Sequence, residues 1–493
     1  MKQLTKISLT ILMLSTMAVS GFAQNPDIKR TMHWYFGYGA GLDFSSGTAV
    51  ADTTGMSNGW ETCFAMSDTC GELLFYGVPD SLNAKLMLYN KNHQLIQNGV
   101  LTTRFDPTQS ACVPQPNNDS LYYVFYHDYA GILSGKFYYA IVNMNANAGL
   151  GAVVSKDNVL LDSLASEKAG VTKHCNGIDY WIASKMIGGW TGNGNQLHTW
   201  QLTSTGLNLT PVISTPGNIL WEHGEGYCRF SNDGSMAAVS YVYPSSLYYA
   251  DSSYFEIYQF DNCIGIFSNP ITIQHPQPYG LQFSPDDTKL YVSVIDIADG
   301  IQNGYVSQYN LSTYNQLFIK NSRTILDSGL IGNNFQLGID GKIYVTGFDT
   351  SLTDNGLKTL GVINNPNNLG LACNYVKDQV DLLGKEAWWG LPYFPDSYFN
   401  DFNYTNCITG ISDNERDKIV AVYPNPFDDY ITIHYTEPYY LRLLDITSKL
   451  IHQLNVTSEY YQINTSNLEK GIYFINIIPH NKSVSMNQKI TKP

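Results

Sequence analysis

The stretch Phe283-Ser-Pro-Asp-Asp-Thr-Lys-Leu-Tyr-Val-Ser-Val294 reads as strand, tight turn, strand. Pro285 presets φ for the turn, and Asp286-Asp287 cap the bend with their own side chains. After the turn, Leu290, Val292 and Val294 alternate with Tyr291 and Ser293. That is the period of a β-strand with one face buried. The same unit recurs with turns at Gly71, Asp119, Gly177, Gly234, Asp287 and Gly341, at intervals of 48, 58, 57, 53 and 54 residues. Each inner hairpin is followed by an outer one, such as Leu86-Met-Leu-Tyr-Asn-Lys-Asn-His-Gln-Leu-Ile96. A period near 50 built only of strands predicts a β-propeller with one four-stranded blade per repeat.

Six blades are complete by this reading. The two ends of the repeat region supply a seventh. Trp34 to Phe44, followed by Thr48-Ala49-Val50, has the form of an outer hairpin without an inner partner. Trp389-Gly-Leu-Pro-Tyr-Phe394 and Tyr398-Phe-Asn-Asp-Phe402 have the form of an inner hairpin without an outer one. Pairing them, two strands plus two, leaves no open sheet edge at the seam. The expected fold is therefore all-β: a seven-bladed β-propeller over residues 24–404. A polar, turn-rich linker follows at 405–418. Seven short strands over 419–493 then predict a small immunoglobulin-like β-sandwich.

Composition agrees with an ordered β-protein: 13% of residues are aromatic, 36 of them Tyr, and only 14% are charged. The net charge is −14, with no basic cluster, which argues against a nucleic-acid partner. Lys2 and Lys6, the apolar run Ile7 to Val19 and the small-x-small site Gly21-Phe22-Ala23 form a signal peptide over residues 1–23. No later stretch is long and apolar enough to span a membrane. The eight Cys all follow this leader, and an oxidising compartment permits disulfides among them without fixing which. Cys63, Cys112, Cys175 and Cys228 fall in inner strands, where buried packing is expected, while Cys70 and Cys263 fall in turns.

The C-terminal unit resembles the type A C-terminal sorting domain of type IX secretion, the outer-membrane export route of Bacteroidetes-type bacteria. The residues that carry the resemblance are Tyr423-Pro424-Asn425-Pro426-Phe427, Leu443-Leu444-Asp445, Gly471-Ile472-Tyr473-Phe474 and a basic tail around Lys489. Pro424 and Pro426 fix φ on either side of Asn425, a rigid turn suited to recognition by a receptor. The resemblance implies that the type IX machinery is a partner. It also implies passage across the outer membrane, removal of the domain, and residence at the cell surface or release. The first 400 residues look like propeller-type ectodomains that precede such domains, on Trp34 to Phe44, Tyr89-Asn-Lys-Asn-His93, Thr108-Gln109-Ser110 and Gly390-Leu391-Pro392.

No GxSxG elbow, HExxH, EF-hand loop or P-loop is present. Gly37-Tyr-Gly-Ala-Gly41 is Gly-rich but lacks the GxGxxG spacing, and reads as a strand kink or bulge. Ser231-Asn-Asp-Gly-Ser235 reads as an inner turn. In a propeller, the segments entering the inner strands and the loops between second and third strands share one face around the channel. The first set holds Trp60, Glu61, Gln109, Lys168, Glu222, His223, Glu225, Gln277, Asn334 and Trp388, and the second holds His127, Asp128 and Trp190. Such a mixture of aromatics, amides and a few charges suits sugars or peptide ends. His127, Asp128, His223 and Glu225 are metal-ligand types, yet they sit in loops of different blades without fixed spacing and are expected to be solvated. Glu222 and Glu225 are candidate acid/base groups with nothing to set their separation. No metal and no cofactor are expected. The expected function is non-catalytic binding or adhesion to a glycan or protein by an exported propeller. The alternative is a propeller enzyme, a hydrolase or lyase, acting on an extracellular polymer.

Overall fold

The computed structural model describes residues 25–80, 83–103, 108–129, 135–162, 164–188, 193–220, 224–242, 253–294, 304–328, 334–347, 356–400, 421–423, 426–435, 438–445, 449–479 and 486–492. The predicted signal peptide and the 405–418 linker lie outside the described residues. The chain divides into two compact units, residues 1–407 and 408–493.

In the first unit the opening stretch forms strands Pro278–Phe283 and Lys289–Val294, followed by Tyr305–Asn310 and Thr324–Ser328. Each pairs antiparallel with the next, giving one four-stranded blade. Residues 64–102, 111–161, 228–274 and 335–381 repeat this order. Residues 170–214 do so with the outer strand split into Gly206–Leu207 and Val212–Ser214, both paired with Leu197–Thr203. The first two blades also touch edge to edge through one parallel pair, Gln97 and Ala152.

The turn of the opening stretch is built as its residues dictate. Asp286 accepts from Ser284 Oγ and Thr288 Oγ1 at 2.5 and 2.8 Å, and Asp287 takes the left-handed conformation at φ +57°. Burial departs from the expected one-sided pattern, because all six residues of Lys289–Val294 are buried. Blades stack on both faces of each inner strand, so the polar face of the alternation, Ser293 included, is covered too. The stacking can be followed round the unit. Phe64 and Met66 share a core with Cys112, Ala111 and Val113 with Ala169 and Val171, and Ala238 with Leu281. Tyr291 packs with Phe335, and Tyr344 with Trp34, which in turn meets Ala65. The last sheet thus meets the first, and the first unit is a closed β-propeller.

Between the sixth blade and the first sits a three-stranded sheet, His33–Phe36, Ala40–Asp43 and Val50–Ala51. Gly37-Tyr38-Gly39 is the hairpin turn of this sheet rather than a kink within a strand, with Phe36 opposite Ala40. Gly37 has φ +56°, and a Cβ there would lie 2.0 Å from Glu386 O. The strand-plus-strand seam expected from Trp389 to Phe402 is not formed. Residues 390–395 belong to no sheet, Asp396–Phe399 is a 3-10 helix, and 401–402 lie outside the described residues.

This segment runs instead along the axis of the ring, because its polar atoms find partners on the inner strands. Arg229, fully buried, donates from Nη2 to Phe335 O at 2.8 Å and Gln336 Oε1 at 3.0 Å, and from Nη1 to Phe394 O at 3.5 Å. Its Nη1 lies 3.7 Å from Asp396 Oδ1, and its guanidinium carbon 4.6 Å from the Tyr393 ring centre. Gln282 Nε2 donates to Asp396 at 2.7 Å, Val171 N to Tyr393 Oη at 2.8 Å, and Lys173 N to Ser397 Oγ at 3.1 Å. Residues 393–397 therefore bind the innermost strands of four successive blades.

One disulfide, Cys175–Cys263, ties the inner turn of the third blade to the outer turn of the fourth. Cys175 lies in a turn and not in the inner strand, which corrects its reading as a packing residue. Cys112 and Cys228 are buried as expected. Loop-closure entropy assigns such a bond about 4–5 kcal/mol for a span of this length.

In the second unit, strands Ala421–Tyr423, Tyr430–His434 and Tyr460–Asn464 form one sheet. Leu450–Val456, Tyr439–Asp445, Gly471–Pro479 and Met486–Lys492 form the other. Ile431, Ile433, Leu441, Leu443, Ile475 and Ile490 from the two sheets share one core.

Two expectations follow. Arg229→Met leaves Asp396 buried without its cation, and should lower stability by about 3–5 kcal/mol in denaturant titration of the full chain. Replacing Cys175 and Cys263 together by Ser should lower stability by up to about 4–5 kcal/mol under oxidising conditions and by nothing further once reductant is present.

Candidate functional site

The channel face is laid down by the segments that enter the inner strands. Most side chains expected on an open rim there are built into the wall instead. Gln109 is 1% exposed; its Oε1 accepts from Ala169 N and Cys228 N at 3.0 and 3.1 Å, and its Nε2 donates to Cys228 O at 3.0 Å. A glutamine amide satisfies three backbone groups of two other blades, so it is a clasp. Lys168 is fully buried, and Nζ donates to Gly224 O and Glu225 O at 2.7 Å each. Burial pulls its ammonium down to about 8. Asn334 is fully buried, and its Oδ1 accepts from Phe335 N at 2.7 Å. Gln277 is buried in a left-handed conformation at φ +34°.

His127 and Asp128 are not loop residues: they lie in strand Leu121–Tyr129 and are buried. The His127 ring stacks 4.5 Å from Phe137, its Nδ1 lies 3.3 Å from Gln109 O, and burial pushes the imidazole down to about 3. A neutral ring in an apolar sandwich is the result, which corrects the expectation of solvated side chains. Among the described residues, no group of three or more His, Cys, Asp and Glu is arranged to hold a metal. Trp190, Glu222 and His223 lie outside the described residues.

Glu167, Tyr227 and Tyr279 of this face are not singled out in the sequence. Glu167 precedes Lys168 and is 3% exposed; its Oε2 accepts from Thr108 N and Oγ1 at 2.6 and 2.7 Å. Burial, and then the neighbouring Glu225 charge, hold its carboxyl well above the usual carboxylate range. Glu61 accepts a hydrogen bond from Tyr279 Oη, and Tyr279 meets Tyr227 edge-on at 5.5 Å. Burial and the Glu61 carboxylate drive the Tyr279 phenol far above its ordinary value. The signal for Glu167, Tyr227 and Tyr279 was positional, since each lies at the entry to an inner strand.

The accessible part of the face is aromatic. Trp60 is 43% exposed and stacks on Trp388 with centroids 6.0 Å apart and 25° between planes. Trp389 lies 6.3 Å from Trp60, and Tyr38 meets Trp388 edge-on at 5.4 Å. The cluster is held by backbone. Gly390 N donates to Trp60 O at 2.9 Å, and Thr346 Oγ1 to Trp388 O at 2.6 Å. A Cβ on Gly390 would come within 1.8 Å of Glu61 O, so glycine is what lets the two tryptophan-bearing segments lie together. Buried Glu61 thus sits at the foot of a half-open tryptophan cluster.

The raised Glu167 fixes a pH dependence. The folded state holds a proton that the unfolded chain has lost, from about pH 4.3, the unfolded value, up to its raised folded value. Stability should fall as pH rises through that window. In Glu167→Gln, which keeps an acceptor for Thr108, thermal melts should show a shallower fall.

In the second unit the expected sorting residues take structural places. Asp445 Oδ1 accepts from Lys449 N at 3.0 Å, closing the hairpin turn, and Tyr473 Oη donates to Glu469 O at 2.7 Å. Gly471 opens its strand at φ +156°, and Lys489 pairs with Phe474. Pro426 is exposed, next to buried Phe427 whose N donates to Thr491 O at 2.9 Å. Pro424 and Asn425 lie outside the described residues.

No curated protein matches the chain. Among solved structures it is similar to a protein from Lactobacillus plantarum, at 11% identity and a TM-score of 0.44, over 74% of this chain and 99% of that one. It is also similar to the Dos1 propeller, at 10% identity and a TM-score of 0.41, over 72% and 82%. No described helix is long and apolar enough to cross a membrane. Residues 421–492 match the family model of the secretion system C-terminal sorting domain. The chain thus carries a type IX sorting domain behind a β-propeller, and that domain marks it for export across the outer membrane to the cell surface or the extracellular space.

Proposed function

We propose that the protein is an exported, non-catalytic binding propeller whose ligand is a glycan taken on the channel face. The observation that supports this is the half-open cluster of Trp60, Trp388 and Trp389. Tryptophan faces offer large rigid contact area at low entropic cost, and pyranose rings present the flat C–H faces that stack on them. The catalytic alternative has less to draw on, because Glu167 is buried and bound to Thr108 rather than directed into an open cleft.

The rest of the reading completes the life of the chain. The leader 1–23 is removed on the inner-membrane side. The three-stranded sheet at residues 33–51 is read as the seventh blade of a propeller over 24–404. The linker 405–418 hands over to an immunoglobulin-like sorting domain at 419–493, which engages the type IX machinery and is then cut away.

Glycan-array screening of the mature chain beside a panel of hydrolase and lyase substrates tests the proposal. For the best glycan, Trp60→Ala should weaken binding roughly 30-fold, the loss of one buried aromatic anchor, with little change in melting temperature. Binding by both Trp60→Ala and Trp388→Ala as tight as that of the unaltered chain would overturn the tryptophan site. Turnover that disappears in Glu225→Gln would overturn the non-catalytic reading.

A further inference from the structure

Glu386 stands beside the tryptophan cluster, and its main chain is fixed on both sides. Tyr38 N donates to Glu386 O at 2.8 Å, and Leu357 and Ala387 exchange backbone hydrogen bonds at 3.0 and 2.7 Å. A Cβ on Gly356 would lie 2.7 Å from both Glu386 Oε2 and Trp388 Nε1, so the carboxylate and the indole edge lie side by side. The Glu386 side chain is half-buried, and among the described residues its carboxylate makes no hydrogen bond and no ion pair. Lys385, its neighbour in the chain, is exposed and carries its Nζ to Gly39 instead.

A carboxylate partly withdrawn from water and given no donor is costly. A ligand that brings a positively charged donor relieves that cost. The rings beside it act in the same sense, because tryptophan and tyrosine faces carry the negative side of a quadrupole and attract ammonium groups. Trp60 and Trp388 stack at 6.0 Å, Trp389 lies 6.3 Å from Trp60, and Tyr38 meets Trp388 at 5.4 Å. A metal ion fits poorly. Calcium and magnesium take several oxygen ligands, and Glu386 belongs to no group of three or more His, Cys, Asp and Glu among the described residues.

We propose that the ligand of this face is a cationic amino sugar, a chain of glucosamine units whose free ammonium pairs with Glu386 while a pyranose ring stacks on the tryptophans. This rests on the glycan reading of the cluster and narrows it to one charge class. Glucose polymers and N-acetylated ones offer the ring without the charge, and uronic acids bring the wrong sign.

Isothermal titration of the mature chain with chitosan trisaccharide (glucosamine), cellotriose (glucose), chitotriose (N-acetylglucosamine) and trilysine tests this. At a pH that keeps the sugar amines charged, chitosan trisaccharide should bind roughly tenfold more tightly than either neutral sugar. Raising the pH until the amines are neutral should remove the preference. Glu386→Gln has no side-chain bond to lose and should melt with the unaltered chain. It should weaken chitosan trisaccharide roughly tenfold and leave cellotriose unchanged. Trp60→Ala should weaken both. Equal binding of charged and neutral trisaccharides, or a preference retained in Glu386→Gln, would overturn the amino-sugar assignment and leave the glycan reading standing. Trilysine binding as tight as that of chitosan trisaccharide would overturn it in favour of a basic peptide. Absence of binding by all three sugars would overturn both.

Discussion

The guanidinium of Arg229 is the point on which the ring is centred. It is buried from water, and what offsets that cost is a set of acceptors drawn from different parts of the chain: Phe335 O, Gln336 Oε1, Phe394 O and the Asp396 carboxylate. A propeller has a gap along its axis where the inner strands diverge. Here residues 393–397 fill it, and Tyr393, Asp396 and Ser397 find hydrogen-bond partners there on inner strands of the third and fifth blades. Blade-to-blade stacking is non-directional and mostly apolar, so it fixes little of the angular arrangement. The axial hydrogen bonds are directional, and they add that constraint.

Neighbouring blades are also keyed to one another at their turns. Asp287 accepts from the Asn232 backbone and side chain, both at 2.7 Å, so the turn of one blade caps the turn of the one before. The Gly234 turn was legible as an inner turn, and its pairing partner was not. Sequence carries hairpins well, because Pro285, Asp286 and Thr288 act within a few residues of one another. The same holds for the seven strands of the sorting domain, whose hydrophobic alternation is strong and whose turns are short.

The seam was misread for a definite reason. Residues 389–402 are rich in aromatics at strand-like spacing, and periodicity alone assigns them to a sheet. What decides their conformation is Arg229, Gln282 and Gln336, which lie far away in the chain and become neighbours only once the ring has formed. The rim failed in the same way. Position predicted that Gln109, Lys168 and Asn334 reach the channel face, but it could not show that backbone groups of other blades would claim their polar atoms. Trp60 and Trp388 are mostly apolar ring surface, and among the described residues of that set they form the half-open aromatic surface.

The two ends of the ring come together beside the axis. Asn25 Nδ2 lies 3.4 Å from Asn400 O, and the 3-10 helices Pro26–Thr31 and Asp396–Phe399 are in contact. Backbone continuity at that point is therefore replaceable: a short peptide joining residues 25 and 400 spans almost no distance. The chain can then be opened elsewhere, at an exposed outer turn such as Asn145–Asn147, to give a circular permutant with the same neighbours in space. In such a molecule the axial segment becomes an internal crossing between two blades, and the order in which the blades are synthesised changes while the closed circle does not.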